Sequence, residues 1–195
     1  MDLGLTEIQQ MLKSSAREFL SQECPLTLVR EMEEDPRGYT DELWRQMVNL
    51  GWTGLVFLEQ YGGTGGSFID LAVLLEEMGR SLLPGPFFST VVLGGMTVLD
   101  AGTQEQKQEI IPQVCNGQLQ MTLALTEPSA TYEAWGVETT AMPEGDGYRL
   151  NGTKLFVPDA HVAGLLLVAA RTSASSDPSQ GITLFLVASE SSGLA

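Results

Sequence analysis

The side chains most often used for catalysis and metal binding are scarce in this sequence. The chain has one histidine, His161, and two isolated cysteines, Cys24 and Cys115, which form no CxxC pair. A histidine-based catalytic triad or a multi-histidine zinc site cannot be assembled from these groups. We therefore expect His161 to be solvated or locally hydrogen-bonded at a strand edge, and both cysteines to be reduced, unreactive thiols.

A glycine-rich segment, Tyr61 to Gly66, is the one short motif with the composition of a phosphate-binding loop. Backbone N–H groups in such a loop can face an anion, but the Gly-Lys-Ser/Thr that completes a P-loop does not follow. No strand of a βαβ unit is predicted before it. We interpret the segment as a structural turn between helices.

Acidic side chains are abundant, and one of them has an informative position. Glu127 lies in Leu-Thr-Glu-Pro at the predicted end of a strand, whereas the acidic run at 31–35 is expected to be a solvated face. By itself, the position of Glu127 indicates only that a strand ends and polar residues follow.

The net charge excludes two classes of partner. The 195 residues include 25 acidic and 10 basic side chains, a formal net charge of −15. Nucleic-acid binding needs a basic face, and a membrane-surface helix needs Lys and Arg on its polar side, so neither partner is expected. With no basic-then-apolar leader and no apolar run of about 18–20 residues, we expect a cytoplasmic protein without a membrane span.

The first 118 residues are predicted to be helical. Amphipathic i, i+3, i+4 spacing and Ser or Thr caps indicate helices that begin after Thr6, Thr40, Ser67 and Thr103. A mostly apolar stretch, 87–99, lacks a polar face and is predicted to be a buried helix.

After residue 118 the pattern changes to short apolar or alternating runs separated by Gly, Pro, Asn, Asp and Ser, which is typical of strands. The predicted strands are 121–126, 136–141, 148–157, 165–170 and 182–187, with a hairpin turn at 144–147 and a polar loop at 172–181. Helices followed by strands indicate an α+β protein. We predict an all-α domain, 1–118, followed by a partial antiparallel β-barrel or sandwich domain, 119–195.

Several short motifs, taken in order, resemble those of the acyl-CoA dehydrogenase family of flavoenzymes. They are Tyr61-Gly-Gly-Thr-Gly-Gly66 with Leu75-Glu-Glu-Met-Gly-Arg80, Gly102-Thr-Gln-Glu-Gln-Lys107 with Ile111-Pro112, Leu123-Ala-Leu-Thr-Glu-Pro128, Leu150-Asn-Gly-Thr-Lys154, and the later strands at 170–172 and 181–187. Each motif is weak alone, but their order and spacing cover nearly the whole chain.

The resemblance implies a helical N-terminal domain, a middle β domain and a C-terminal helical bundle, of which this chain is expected to hold the first and part of the second. It also implies FAD as the cofactor and oxidation of an acyl-CoA thioester to a trans-2-enoyl-CoA. The implied protein partners are similar subunits in a homo- or hetero-oligomer and an electron-transfer flavoprotein. The family's catalytic base lies in the C-terminal bundle, so no residue of this chain is assigned as catalytic.

The resemblance also implies which residues meet the cofactor. Leu123, Leu125 and Thr126 fall where the family contacts the flavin, with the Thr126 hydroxyl as a hydrogen-bond donor. Phe156 falls where the family usually has a tryptophan near the dimethylbenzene side of the flavin. These four positions are the expected cofactor-binding residues.

Two segments depart from the family pattern. Residues 129–133 are Ser-Ala-Thr-Tyr-Glu in place of Gly-Ala-Gly-Ser-Asp, so Thr131 and Tyr132 bring bulk to the segment expected to bind the substrate. Pro158 stands in place of a threonine and has neither a hydroxyl nor a backbone N–H to offer the flavin. Two alternatives to an active dehydrogenase therefore stay open: a non-catalytic partner subunit of a mixed oligomer with an eroded flavin site, and a flavin-dependent monooxygenase on the same fold.

Overall fold

The computed structural model describes residues 4–175, 177 and 179–194. Residues 1–3, 176, 178 and 195, which belong to the predicted domains and the predicted polar loop, lie outside the described residues. The helices are α1 (Glu7–Glu23), α2 (Leu26–Glu34), α3 (Asp41–Asn49), α4 (Phe68–Arg80), a π-helix (Phe88–Met96), α5 (Thr97–Ala101) and α6 (Gln104–Cys115). The strands are β1 (Met121–Ala124), β2 (Thr140–Glu144), β3 (Gly147–Asn151), β4 (Leu165–Arg171) and β5 (Ile182–Ala188).

Side-chain caps confirm the predicted starts of four helices. Thr6, Ser67 and Thr103 each accept a hydrogen bond from the backbone N–H three residues later, and the side-chain oxygen at that later position accepts a bond from the N–H of the cap residue. Thr40 accepts a bond from the Leu43 N–H. The helices begin at these residues because the unpaired N–H groups of the first turn are satisfied locally.

The stretch predicted as one buried helix is a π-helix that passes directly into α5. A Cβ added at Gly94 would lie 2.6 Å from the Met121 side chain, and one at Gly95 would lie 2.6 Å from the Phe57 ring. These glycines bring the helix backbone close to the core. Phe88, at its first position, is 51% exposed, and the other residues of the π-helix are buried or half-buried, in agreement with a buried helix.

The sheet is mixed, with the strand order β1-β4-β2-β3 and with β5 also paired to β4. The β2–β3 and β4–β5 pairs are antiparallel, as predicted, but β1 and β2 run parallel to β4. Parallel pairing is possible because a long connection separates each of these strands from β4. The sheet built by the described residues is not closed, in agreement with a partial barrel or sandwich.

The helical and sheet parts share one core. Met121 of β1 and Leu167 of β4 belong to the same buried cluster as the helical residues, and the Met121 N–H donates to the Thr90 hydroxyl at 3.2 Å. The opposite face of the sheet holds a second, smaller cluster that includes Leu166 and Val168. The division at residues 118 and 119 stays a prediction. No helix in the described part of the chain is both long enough and apolar enough to cross a membrane.

Candidate functional site

The end of β1 and the segment after β3 lie side by side. The Leu155 N–H donates a hydrogen bond of 2.8 Å to the Thr126 carbonyl oxygen, and the Lys154 ammonium donates to the Leu125 carbonyl oxygen at 3.3 Å. Phe156 is therefore one residue away from a backbone bond to Thr126. The tertiary structure brings these two expected flavin contacts close together.

The three expected contacts on β1 and just after it differ in what remains available to a ligand. Leu123 packs against the main core, because it lies on the same face of β1 as Met121. Leu125 and Thr126 are partly buried and follow Ala124, the last paired residue of the strand. Within the described part of the chain the Thr126 hydroxyl makes no hydrogen bond, so it can donate to a ligand.

Phe156 stands on a strained backbone, and its ring is open to solvent. The residue is 89% exposed, and its φ is +50°. This left-handed conformation costs a residue other than glycine about 1–2 kcal/mol. Asp159 has a φ of +52° in the same segment. Strained residues of this kind cluster in ligand-binding segments, so the strain favours a binding role for this loop.

A buried ion pair joins the two segments. The Glu127 and Lys154 side chains are 3% and 9% exposed, and their charged atoms are 2.5 Å apart. The same carboxylate accepts backbone N–H bonds from Glu138 at 2.8 Å and from Thr139 at 3.1 Å. Burial opposes ionisation of Glu127, but the bonds from Lys154 and the backbone outweigh it, so its pKa lies below the usual glutamate value.

The two expected substrate contacts, Thr131 and Tyr132, lie in the loop 128–137 between β1 and β2. The Ser129 hydroxyl donates to the Gly136 carbonyl at 3.2 Å, which draws the two sides of the loop together. The Thr131 hydroxyl accepts a bond from the N–H two residues later, and Tyr132 is 79% exposed. Among the described residues, no hydrogen bond joins either side chain to the expected flavin contacts.

Arg171, at the end of β4, holds the second half of this loop. Its guanidinium donates to the carbonyl oxygens of Ala134 and Val137, both at 3.1 Å. Its backbone N–H donates to the Thr139 carbonyl at 2.7 Å. Because the Thr139 N–H bonds the carboxylate of the buried ion pair, one connected polar network runs from that pair to Arg171.

Residues 158–161 dock on the helical part of the molecule. Asp159 accepts a hydrogen bond of 2.5 Å from the hydroxyl of Ser89, a fully buried residue of the π-helix. His161 Nε2 lies 3.1 Å from the Arg37 carbonyl oxygen. His161 is exposed, as expected, but its bond is to a distant residue rather than a local one. Pro158 supplies no N–H at this position.

The glycine-rich loop uses its N–H groups within its own turn. The N–H groups of Gly63, Gly65 and Gly66 donate to carbonyl oxygens at positions 55–58, over 2.8–3.2 Å. A Cβ added at Gly63 would lie 2.1 Å from the Phe57 carbonyl oxygen, so only glycine fits there. These bonds occupy the groups that would bind a phosphate, as expected of a structural turn.

The thiols and acidic groups give no sign of a metal centre. Among the residues that the structure describes, no cluster of three His, Cys, Asp or Glu side chains could hold a metal ion. Cys24 and Cys115 are free and buried. Burial raises the pKa of the Cys115 thiol to about 11 and also raises that of Cys24. Both are protonated at neutral pH, which agrees with unreactive thiols.

The sequence patterns assign no role to the groups that hold this site together. Lys154 and Arg171 fall in motifs that carry the family resemblance, but their partners lie on other segments. The one available signal was weak: Glu127 and Lys154 carry opposite charges and lie in motifs expected near the same ligand. Ser89 gave no signal, because a serine in an apolar helix is usually structural.

Both parts of the chain match known family domains. Residues 6–118 match the profile described as Acyl-CoA dehydrogenase, N-terminal domain, and residues 122–195 match Acyl-CoA dehydrogenase, middle domain. The mitochondrial long-chain specific acyl-CoA dehydrogenase of Rattus norvegicus is 32% identical over 194 residues, which are 95% of this chain and 44% of that protein. The chain spans about half the length of the curated relatives it matches.

Solved structures share the arrangement of a helical part followed by a mixed sheet. Butyryl-CoA dehydrogenase from Megasphaera elsdenii superposes with a TM-score of 0.81 at 32% identity, over 99% of this chain and 51% of that one. The ChsE4-ChsE5 complex from Mycobacterium tuberculosis gives a TM-score of 0.87 at 28% identity, over 100% and 50% of the two chains.

Proposed function

The chain belongs to the acyl-CoA dehydrogenase family, and we propose that it forms the N-terminal portion of an FAD-dependent enzyme of lipid metabolism. The enzyme oxidises an acyl-CoA thioester to an enoyl-CoA. One observation supports the proposal: the hydrogen bond between the Leu155 N–H and the Thr126 carbonyl, at 2.8 Å, holds the segment that carries the exposed Phe156 against the end of β1, where the Thr126 hydroxyl is available.

The residues at this edge fit a flavin. Thr126 would donate its hydroxyl to an acceptor of the flavin, and the open aromatic ring of Phe156 would supply an apolar contact. The partly buried Leu125 adds a second apolar surface, while Leu123 supports the strand from the core side. When bound, FAD supplies the acceptor for the substrate hydride. The chain's own residues would orient that group at this edge of the sheet.

The substrate contacts and protein partners are proposed from the same family membership. Thr131 and Tyr132 lie on the loop assigned to acyl-CoA. FAD and CoA are polyanions and this chain carries a net charge of −15, so we assign their phosphate contacts to backbone N–H groups and to another segment or subunit. We assign the base that removes the α-proton of the substrate to another segment or subunit as well. Similar subunits and an electron-transfer flavoprotein complete the proposed cytoplasmic system.

A titration with FAD, followed by flavin fluorescence, tests this proposal. The sample is the protein that carries this chain, with any subunit that copurifies. Phe156→Ala is expected to weaken FAD binding by about 0.5–1.5 kcal/mol, the value of one aromatic contact. Phe68→Ala is the matched control, because Phe68 is 58% exposed on α4 in the helical part. Equal FAD affinity in the two variants would contradict the proposed site.

One observation favours a second candidate, the non-catalytic partner subunit of a mixed oligomer. Pro158 offers neither an N–H nor a hydroxyl, and the Asp159 carboxylate, which can only accept, already receives the Ser89 hydroxyl at 2.5 Å, so neither side chain supplies a donor for a flavin. The matched ChsE4-ChsE5 structure is titled a complex of two named proteins. A purified assembly whose FAD content is unchanged by Phe156→Ala would favour this candidate. The monooxygenase alternative stays a prediction.

A further inference from the structure

Glu127 occupies the junction between the two proposed binding segments. The residue before it is Thr126, and the residue after it begins the loop 128–137, which carries the proposed substrate contacts. The Glu127 carboxylate accepts the N–H groups of Glu138 and Thr139, at 2.8 and 3.1 Å, and these two residues directly follow the loop. A single buried side chain therefore joins the two ends of that loop.

The other partner of the carboxylate holds the flavin side. Lys154 donates to Glu127 at 2.5 Å and to the Leu125 carbonyl at 3.3 Å, and the next N–H bonds the Thr126 carbonyl at 2.8 Å. Because the Lys154 side chain is 9% exposed, water cannot readily replace these partners. The position of Phe156, two residues further on, follows from this attachment.

The far side of the loop is also fixed. Arg171 bonds the carbonyl oxygens of Ala134, Val137 and Thr139, so the loop cannot shift at its second half without breaking those bonds. We infer that Glu127 is a positioning residue, which holds the proposed flavin-binding segments and the two ends of the proposed acyl-CoA loop at a fixed separation. This inference rests on the proposed function. Disturbing Glu127 therefore weakens binding of both ligands together, because its buried carboxylate acts through the protein groups that it bonds.

The chain offers a matched control for this inference. Glu77 is also a fully buried carboxylate, but it joins α1 to α4, and within the described part of the chain it has no hydrogen bond or ion pair to the proposed binding segments. Glu77→Gln therefore makes the same chemical change in a buried carboxylate elsewhere. A merely structural role for Glu127 predicts that any change in ligand binding in the two glutamine variants follows their loss of stability.

The experiment measures FAD affinity by flavin fluorescence and acyl-CoA affinity by the change it causes in the flavin absorbance band. The variants are Glu127→Gln, Glu77→Gln and the double variant Glu127→Gln/Lys154→Met. The double variant removes both buried charges and keeps an amide oxygen for the two backbone N–H groups. If Glu127→Gln alone does not fold, the double variant still tests the inference. Amide exchange at Leu155 reports the attachment of the segment without any ligand.

We expect both affinities to fall by about tenfold in the double variant, the effect of one lost positioning interaction. Amide exchange at Leu155 should accelerate, and Glu77→Gln should leave both affinities unchanged. Recovery of wild-type affinities in the double variant would overturn the inference and leave the pair a structural one. If the unmodified protein binds no FAD, the proposed function and this inference both fail. If it binds FAD and the Glu127 variants bind equally well, only the inference fails.

Discussion

Two buried glutamates, one in each part of the molecule, are satisfied in different ways. Glu77 on α4 receives a bidentate bond from Arg17, at 2.7 and 2.9 Å, with Lys13 at 3.8 Å and Arg80 at 4.0 Å. Glu127 receives one buried lysine and two backbone N–H groups. In both cases these bonds outweigh or offset burial and hold the pKa of the carboxyl below its usual value.

The partners differ in their access to water. The Arg17 and Arg80 side chains are 51% and 64% exposed, whereas that of Lys154 is 9% exposed. If Glu77 loses its charge, its arginine partners can turn to solvent. If Glu127 loses its charge, Lys154 stays buried without an anionic partner. The ion pair of Glu77 therefore tightens the packing of two regular helices. The ion pair of Glu127 instead holds irregular segments, whose backbone groups are not paired within a β-sheet.

The largest expected effect is that of Glu127→Gln. Removing one partner of a buried ion pair leaves the other charge uncompensated, and such losses are about 3–5 kcal/mol in the free energy of unfolding. Urea denaturation followed by far-UV circular dichroism measures this change. A destabilisation no greater than that of Glu77→Gln would remove the distinction between the two glutamates.

Glu77→Gln should destabilise the protein less, by about 1.5–3 kcal/mol, the usual value for hydrogen bonds to a charged group. The reason is that the cations released from Glu77 regain hydration. The same denaturation experiment applies. A larger loss here than for Glu127→Gln would mean that solvent access of the partner does not decide the cost.

The pH dependence of stability tests the contribution of the Glu127 carboxylate directly. Because the pKa of Glu127 is lowered by folding, the stability it contributes is complete above the unfolded value of about 4.3 and is lost as the pH falls through the lower folded value. The double variant Glu127→Gln/Lys154→Met should therefore lose less stability on acidification than the unmodified protein. Identical acid dependence in the two proteins, measured by thermal unfolding, would show that Glu127 does not contribute in this way.

The smallest expected effect is that of Glu76→Gln. Glu76 lies 2.7 Å from Lys13, but its side chain is 60% exposed. Exposed ion pairs contribute about 0–1 kcal/mol, so the free energy of unfolding should hardly change. The unmodified protein at high salt provides the control, since salt screens the same pair. A loss comparable to that of Glu77→Gln would show that Glu76 is part of the buried network.

Helix starts could be predicted because each cap is a local feature. Ser67 and Asp70 exchange their hydrogen bonds within one turn, and the sequence shows both partners. The strand predicted at 136–141 begins instead at Thr140. The N–H groups of Glu138 and Thr139 are taken by Glu127, which is distant in sequence. A side chain that competes with strand pairing from another segment leaves no local pattern.

The candidate site shows the same division between local motifs, which the sequence reveals, and contacts between remote segments, which it does not. The family motifs drew attention to Thr126 and Phe156, and the structure brings these residues to neighbouring positions. The motifs did not indicate that Lys154 pairs with Glu127, or that Ser89 bonds Asp159 across the two parts of the molecule. Each of these bonds depends on the packing of separate elements, which spacing along the chain does not specify.

Four features could be predicted from residue order and composition: the order of helices and strands, the helix caps, the charge that argues against nucleic-acid partners, and the motifs that mark the family. These features depend on residues that are close in the chain or on composition. The tertiary structure alone decided the direction of β1 and β2 against β4, the strained and exposed position of Phe156, and which buried charges meet. Those features depend on burial and distance between remote segments, because the cost of a buried charge is set by whatever the fold places beside it.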